Sequence, residues 1–163
     1  MSFKSLLNGV LALALTLAGA LLPFGAGAAT ATNTFNVGIT LSSSCEVMTV
    51  PTIAFTYTSF QTTDSTPSSS FNIRCTNTKS ITSVRLDDGS GGVATGLSQS
   101  YTDSATGLSY SLTLAGVPAA GTGSAQTISI SGLMASGQAG SCNAATCTNA
   151  ASTNKTRTIT ITY

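Results

Sequence analysis

Four cysteines, Cys45, Cys75, Cys142 and Cys147, and a complete lack of histidine set the chemistry this chain can attempt. Zinc would need all four thiolates, and their spacing is not that of a zinc ribbon. Disulfides are the expectation in an exported chain, with three pairings open. The pairing favoured is Cys45 with Cys75 and Cys142 with Cys147. On the chain-entropy estimate the first would add ~3–4 kcal/mol and the second, tighter loop ~2 kcal/mol. Without histidine, no Ser-His-Asp or Cys-His unit can be built. The five carboxylates, Glu46, Asp64, Asp87, Asp88 and Asp103, offer no separated acid–base pair that can be placed in a common cleft. Ser–Lys catalysis is not expected either. The reading is therefore no enzyme, no cofactor and no metal. Asp87-Asp88-Gly89 reads as a turn rather than a calcium loop, because too few oxygen ligands sit nearby. Asn154-Lys155-Thr156 matches a glycosylation sequon as a chance occurrence in a Thr-rich chain.

What must position those cysteines begins with a leader. Lys4 precedes an apolar run from Leu6 to about Leu22, Pro23 breaks it, and Ala26-Gly27-Ala28 offers a small-x-small cleavage site. That is the layout of a secretory signal peptide over residues 1–28. A membrane anchor is the competing reading. It is disfavoured because Asn8, Gly9, Gly19 and Pro23 interrupt the run and small residues follow it. The mature chain, from Ala29, then holds about 135 residues, enough for one domain with one core. In it Arg74, Lys79, Arg85, Lys155 and Arg157 balance the five carboxylates, for a net charge of zero. Such a surface has no electrostatic footprint for nucleic acid or anionic lipid. So little charge is better tolerated in something that assembles than in a soluble monomer.

Everything beyond the leader reads as strands and turns. "CEVMTV" and "IAFTY" straddle Pro51, and in the second Ile53, Phe55 and Tyr57 alternate with small or polar residues. "FNIRC" sets Phe71, Ile73 and Cys75 on one face, "ITSVRL" offers Val84 and Leu86, and "DDGSGG" is a strong turn signal. "LSYSLTL" groups Leu108, Tyr110, Leu112 and Leu114, and "QTISISGL" groups Ile128 and Ile130. "KTRTITITY" sets Ile159, Ile161 and Tyr163 against a row of threonines. Residues 62–70, 94–107 and the surroundings of Cys142 read as polar connectors. About seven short strands predict an all-β, immunoglobulin-like antiparallel sandwich over residues 42–163.

Two features fit a closed sandwich badly. The chain stops at Tyr163, inside its most regular strand, with no later segment to cover that edge. At the other end "NTFNVGITL" alternates Phe35, Val37, Ile39 and Leu41 with Asn36, Gly38 and Thr40, so one face asks for a core. Leu41 stands close enough to Cys45 to belong instead to the chain's own first strand.

"FNVGITLSSSC", "FNIRC" and "RTITITY" together resemble spore coat protein U domains, a family that includes subunits of the archaic chaperone–usher pili. The resemblance implies an incomplete immunoglobulin-like fold, short of its last strand and completed by donor-strand exchange. A periplasmic chaperone lends a strand, and an outer-membrane usher exchanges it for the N-terminal extension of the next subunit, giving a homopolymer or a mixed pilus. Carried over here, residues 29–41 are the donor extension, with Phe35, Val37, Ile39 and Leu41 as pocket fillers. Ile159, Ile161 and Tyr163 border the acceptor groove, and Cys45 and Cys75 match the family's disulfide. The Cys142 and Cys147 pair is not part of that pattern.

Strand donation is β-augmentation, in which backbone bonds give affinity and alternate side chains give register. Burying four such side chains contributes ~6–12 kcal/mol, at ~1.5–3 kcal/mol each, against a typical net stability of ~5–15 kcal/mol. A donor at one end and an acceptor elsewhere make a heterologous contact, which propagates as an open filament. The expected function is a surface pilus subunit supporting adhesion and biofilm formation. The alternatives are a spore or cell-surface coat protein that forms no fibre, and a lectin-like adhesin. Tip adhesins add a receptor-binding domain, for which the mature length leaves no room.

Overall fold

The computed structural model describes residues 29–49 and 51–163; the expected signal peptide lies outside them. The chain divides into two units, residues 1–39 and Thr40–Tyr163. Of the first, residues 29–39 carry neither helix nor strand.

The second unit is all-β. Its strands are β1 (Cys45–Val47), β2 (Ser68–Cys75), β3 (Ser83–Leu86), β4 (Ser98–Thr102), β5 (Ser109–Ala115), β6 (Gln126–Leu133) and β7 (Ile159–Thr162), with one 3-10 turn at Asn149–Ala151. One sheet has five strands in the order β1-β2-β6-β5-β4, and the other has two, β3-β7. Every ladder is antiparallel. The two sheets enclose one core, making an immunoglobulin-like β-sandwich.

The core follows the period-2 patterns. Phe71 and Ile73 of β2, Leu112 and Leu114 of β5, and Ile128 and Ile130 of β6 face Val84 and Leu86 of β3, all nearly fully buried. Ile159 and Ile161 of β7 pack on this cluster but stay half-buried. On the solvent side of the larger sheet stand hydroxyls, some paired across strands, as Ser98 with Thr113 and Thr102 with Ser109 at 2.9 Å.

The Asp87-Asp88-Gly89 stretch is a turn. Asp88 Oδ1 accepts from Ser90 N at 2.7 Å and Gly92 N at 2.9 Å, which hold its carboxyl below the usual carboxylate range. The sulfur pairs are Cys45–Cys75, directly opposite in the β1–β2 ladder, and Cys142–Cys147 in an exposed loop.

Two connectors are corrected. Residues 94–107 contain β4, whose "SQSYT" offers only Tyr101 as an apolar face and so reads as a loop. Residues 62–70 already include the start of β2 at Ser68. Conversely, Ile53–Tyr57 has the alternation of a strand but joins no ladder.

Candidate functional site

The site is built from two segments of the smaller layer. β7 pairs with β3 in the register Leu86↔Ile159 to Ser83↔Thr162. Thr158 and Thr162 turn their carbonyls to β3, accepting from Asp87 N and Thr82 N at 2.9 and 2.8 Å. Alternation then points the main-chain groups of Ile159, Ile161 and Tyr163 to the opposite edge, where no strand pairs among the described residues.

The second segment is Ile53–Tyr57. Ile53, Phe55 and Tyr57 are half-buried while Ala54 and Thr56 are exposed. A Cβ on Gly132 of β6 would stand 2.5 Å from Phe55 Cζ and 3.2 Å from Ile53 Cγ2. Gly132 shares the inward face of β6 with Ile128 and Ile130, so this segment lies in the same layer as β3 and β7. The outer side of β3 is already occupied at Leu86–Asp87, where Ala94 N donates to the Leu86 carbonyl and Asp87 bridges Val93. Phe55 stacks on Tyr110, whose hydroxyl accepts from Arg157 just before β7, and this sets Ile53–Tyr57 towards the β7 side. Among the described residues, no main-chain group from Ile53 to Tyr57 enters a backbone–backbone hydrogen bond. Two apolar-faced segments thus border one strip of the core, and neither spends its main-chain polar groups on the other. Unpaired main-chain groups over a core are costly unless water or another strand meets them.

A charged cluster that sequence reading did not single out closes one end of the strip. Arg157, two residues before β7, stacks with its guanidinium carbon 3.9 Å from the Tyr101 ring centre. Its Nε donates to Tyr110 Oη at 3.1 Å and its Nη1 to Asp87 Oδ1 at 3.3 Å. Both charges are largely buried, with side-chain exposures of 12% and 14%. Burial opposes the Arg157 charge, but the Tyr110 hydrogen bond and the neighbouring Asp87 outweigh it, so the guanidinium is held more firmly protonated. Burial, with Asp87 beside it, pushes the Tyr101 phenol well above its ordinary value. Tyr101 Oη donates to the Asp87 carbonyl at 2.7 Å, and Tyr110 stacks 5.3 Å from Phe55. The cluster joins β4, β5, the β3 turn and the approach to β7, so no local motif could announce it.

The expected acceptor residues Ile159 and Ile161 lie in β7, and Tyr163 follows it, 46% exposed and 5.7 Å from Lys79 Nζ. The expected donor residues Phe35, Val37, Ile39 and Leu41 are 86%, 70%, 87% and 80% exposed and lie in no strand. Phe35, Val37 and Ile39 fall in the first unit and Leu41 in the second.

One Ser-x-x-Lys spacing does occur, Ser152 to Lys155. Its hydroxyl donates to Asn154 Oδ1 at 2.6 Å and meets Ser104 Oγ, while Lys155 Nζ donates to the Ala150 carbonyl at 2.7 Å. The two make no catalytic pair. The sequon's Asn154 spends its amide on the Thr102 carbonyl at 2.8 Å. Among the described residues no group of three or more His, Cys, Asp or Glu could hold a metal, and no helix is long and apolar enough to cross a membrane.

Fold and edge together define an immunoglobulin-like sandwich module in whose smaller sheet one edge of β7 has no pairing strand among the described residues. A family model, the Spore Coat Protein U domain, matches residues 31–146, and the chain belongs to that family. The matched span holds all but the first two residues of the expected donor extension, the arm, together with β1–β6, and β7 lies beyond it. Comparison with curated proteins and with solved structures finds no significant match.

Proposed function

We propose that the protein is a structural subunit of a surface pilus, polymerised by donor-strand exchange after export. The observation that carries this reading is that the β7 edge and the Ile53–Tyr57 segment, both without a pairing strand, pack on one shared core. The arm supplies the complementary element: Phe35, Val37 and Ile39, all exposed, alternate at the period of a strand. Before assembly such an edge needs an escort. A periplasmic chaperone lending a strand and an outer-membrane usher catalysing the exchange fill that role. The subunit has no catalytic duty; adhesion and biofilm formation follow from the fibre.

The test removes residues 29–41 and restores them after Tyr163 through a short flexible linker. The restored chain should be a folded, non-polymerising monomer melting far above the truncated one. Equal stability of the truncated chain would overturn the reading. The family's description as a spore coat favours one second reading, a surface tile that forms no fibre. Stable mature monomers that pack only through sheet faces would support that reading instead.

A further inference from the structure

Phe60 departs from the ordinary twice. It is a bulky aromatic 71% exposed to solvent, and its backbone sits at φ 64°, in the left-handed region that side chains avoid. The turn is held there by its neighbours. Phe60 N donates to the Gln138 carbonyl at 2.8 Å, Gly137 N to the Gln61 carbonyl at 2.8 Å, and Ser59 Oγ to the Ala139 carbonyl. Gln138 in turn receives Ser109 through its Oε1 at 2.7 Å and donates from its main chain to Tyr57 Oη at 2.8 Å. A strained backbone braced to present an apolar ring to water suggests a contact surface.

The bracing also fixes where the ring stands. Ser109 precedes Tyr110, the partner of Arg157, so Phe60 lies at the end of the strip where β7 begins. The other end, beyond Thr162, is marked by Lys79 and by Thr82, which donates to the Thr162 carbonyl.

An inserted strand that follows the antiparallel pattern of every ladder in the molecule runs opposite to β7. Its C-terminal end then leaves at the Arg157 and Phe60 end. The free edge of β7 offers two seats over the core, at Ile161 and Ile159, and a third in the same alternation at the exposed Tyr163, and the arm has four alternating apolar residues. Phe35, Val37 and Ile39 share one unit of the chain, whereas Leu41 belongs to the body. With those three seated, Leu41 emerges about 7 Å past Ile159, still 80% exposed in its own subunit.

We infer that Leu41 of one copy packs on Phe60 of the copy whose strip holds its arm, forming the joint between consecutive subunits. This rests on the donor-strand reading above, and it accounts for two exposed apolar side chains with one contact. The occupant is a second copy of this chain, aligned with Phe35 opposite Tyr163, Val37 opposite Ile161 and Ile39 opposite Ile159.

The test uses the mature chain with reporter cysteines in pairs, each read as a reducible ladder of covalent oligomers after assembly. Val37→Cys with Ile161→Cys reports the arm, and Leu41→Cys with Phe60→Cys reports the joint. Ladders from both pairs are the expected result. An arm ladder without a joint ladder overturns the joint and leaves strand donation standing. So does a ladder from Val37→Cys with Tyr163→Cys and from Leu41→Cys with Ile159→Cys, which would seat Leu41 inside the strip. No ladder from either arm register overturns strand donation, and the joint with it. Phe60→Gly adds a readout that a merely structural residue would not give. It relieves the left-handed backbone, so freshly refolded chain at high dilution should melt higher, while assembled polymer should dissociate several-fold faster in denaturant. Polymer dissociation unchanged or slowed would overturn the joint.

Discussion

In the five-stranded sheet, β2, β6 and β5 each have a neighbour on both sides, and the two outer strands are poor templates for another chain. β1 is three residues long and carries Glu46, ion-paired at 2.7 Å to Arg74 on the adjacent strand. β4 presents hydroxyls and one buried tyrosine. Shortness, charge and polarity are the usual ways of blunting an edge. In the two-stranded sheet β7 is also short, at four residues, but neither charge nor a polar inward face protects its free side. "ITIT" is uncharged, regular and apolar on its inward face, and the segment across from it, Ile53–Tyr57, is uncharged as well. The two layers therefore differ in what guards their edges. One edge is blunted and the other is left open.

The largest effects should separate the two layers directly. Ile128→Ala, at a fully buried position in β6, should cost about 3–5 kcal/mol in denaturant unfolding. Ile161→Ala, at a half-buried position in β7, should cost only about 1 kcal/mol in the uncomplemented chain. Supplying the arm after Tyr163 should raise the Ile161→Ala cost toward that of Ile128→Ala and leave the latter unchanged. Equal costs before complementation would break the comparison. Replacing Cys45 and Cys75 by alanine should cost about 3–4 kcal/mol, and replacing Cys142 and Cys147 at most about 2 kcal/mol. The first pair pins β1 to the finished sheet, and the second closes an exposed loop of sequence separation 5. Gly132→Ala should follow at about 1–3 kcal/mol, because the new methyl meets the Phe55 ring where it crosses β6. Hydrogen exchange should show the damage at β6 rather than at β2.

The layers were legible in the sequence to different depths. Alternation marked β2, β3, β5, β6 and β7, since each has one face in the core and the period of a strand is short enough to read in five residues. β4 escaped because an edge strand needs only one inward side chain, Tyr101, and the rest of it can be as polar as a loop. Ile53–Tyr57 shows the converse. Alternation reports a half-buried face and says nothing about whether the backbone has a partner, and at this site the lack of a partner is what matters. Arg157, Asp87, Tyr101 and Tyr110 meet only through the topology, with a sequence separation of 70 between Asp87 and Arg157. Gln138 is an unremarkable glutamine until the loops it ties together are in place.

The smallest predicted effect tests the link between the layers. Asp103 is buried at the end of β4, where burial alone would raise its carboxyl. Hydrogen bonds from Thr106 N and Oγ1, both at 2.8 Å, and from Ala105 N, with the Ser152 hydroxyl close by, more than reverse this and hold it below the usual carboxylate range. Ser152 also meets Ser104 and Asn154, and Asn154 donates to the Thr102 carbonyl, so the network fastens the approach to β7 onto the finished sheet. A carboxyl whose folded pKa is depressed contributes stability that is complete above its unfolded value and is lost as pH falls through the folded one. Urea melts should therefore show this contribution constant from pH 7 to about 5 and falling away below about 4. Asp103→Asn should lower stability at pH 7, and its curve should meet that of the parent chain at the acid end. Because the network leads into β7, amide exchange in the variant should quicken in β7 before it does in β6. Uniform quickening would mean that the two layers open as one unit, and that the free edge of β7 is no weaker than the sheet it covers.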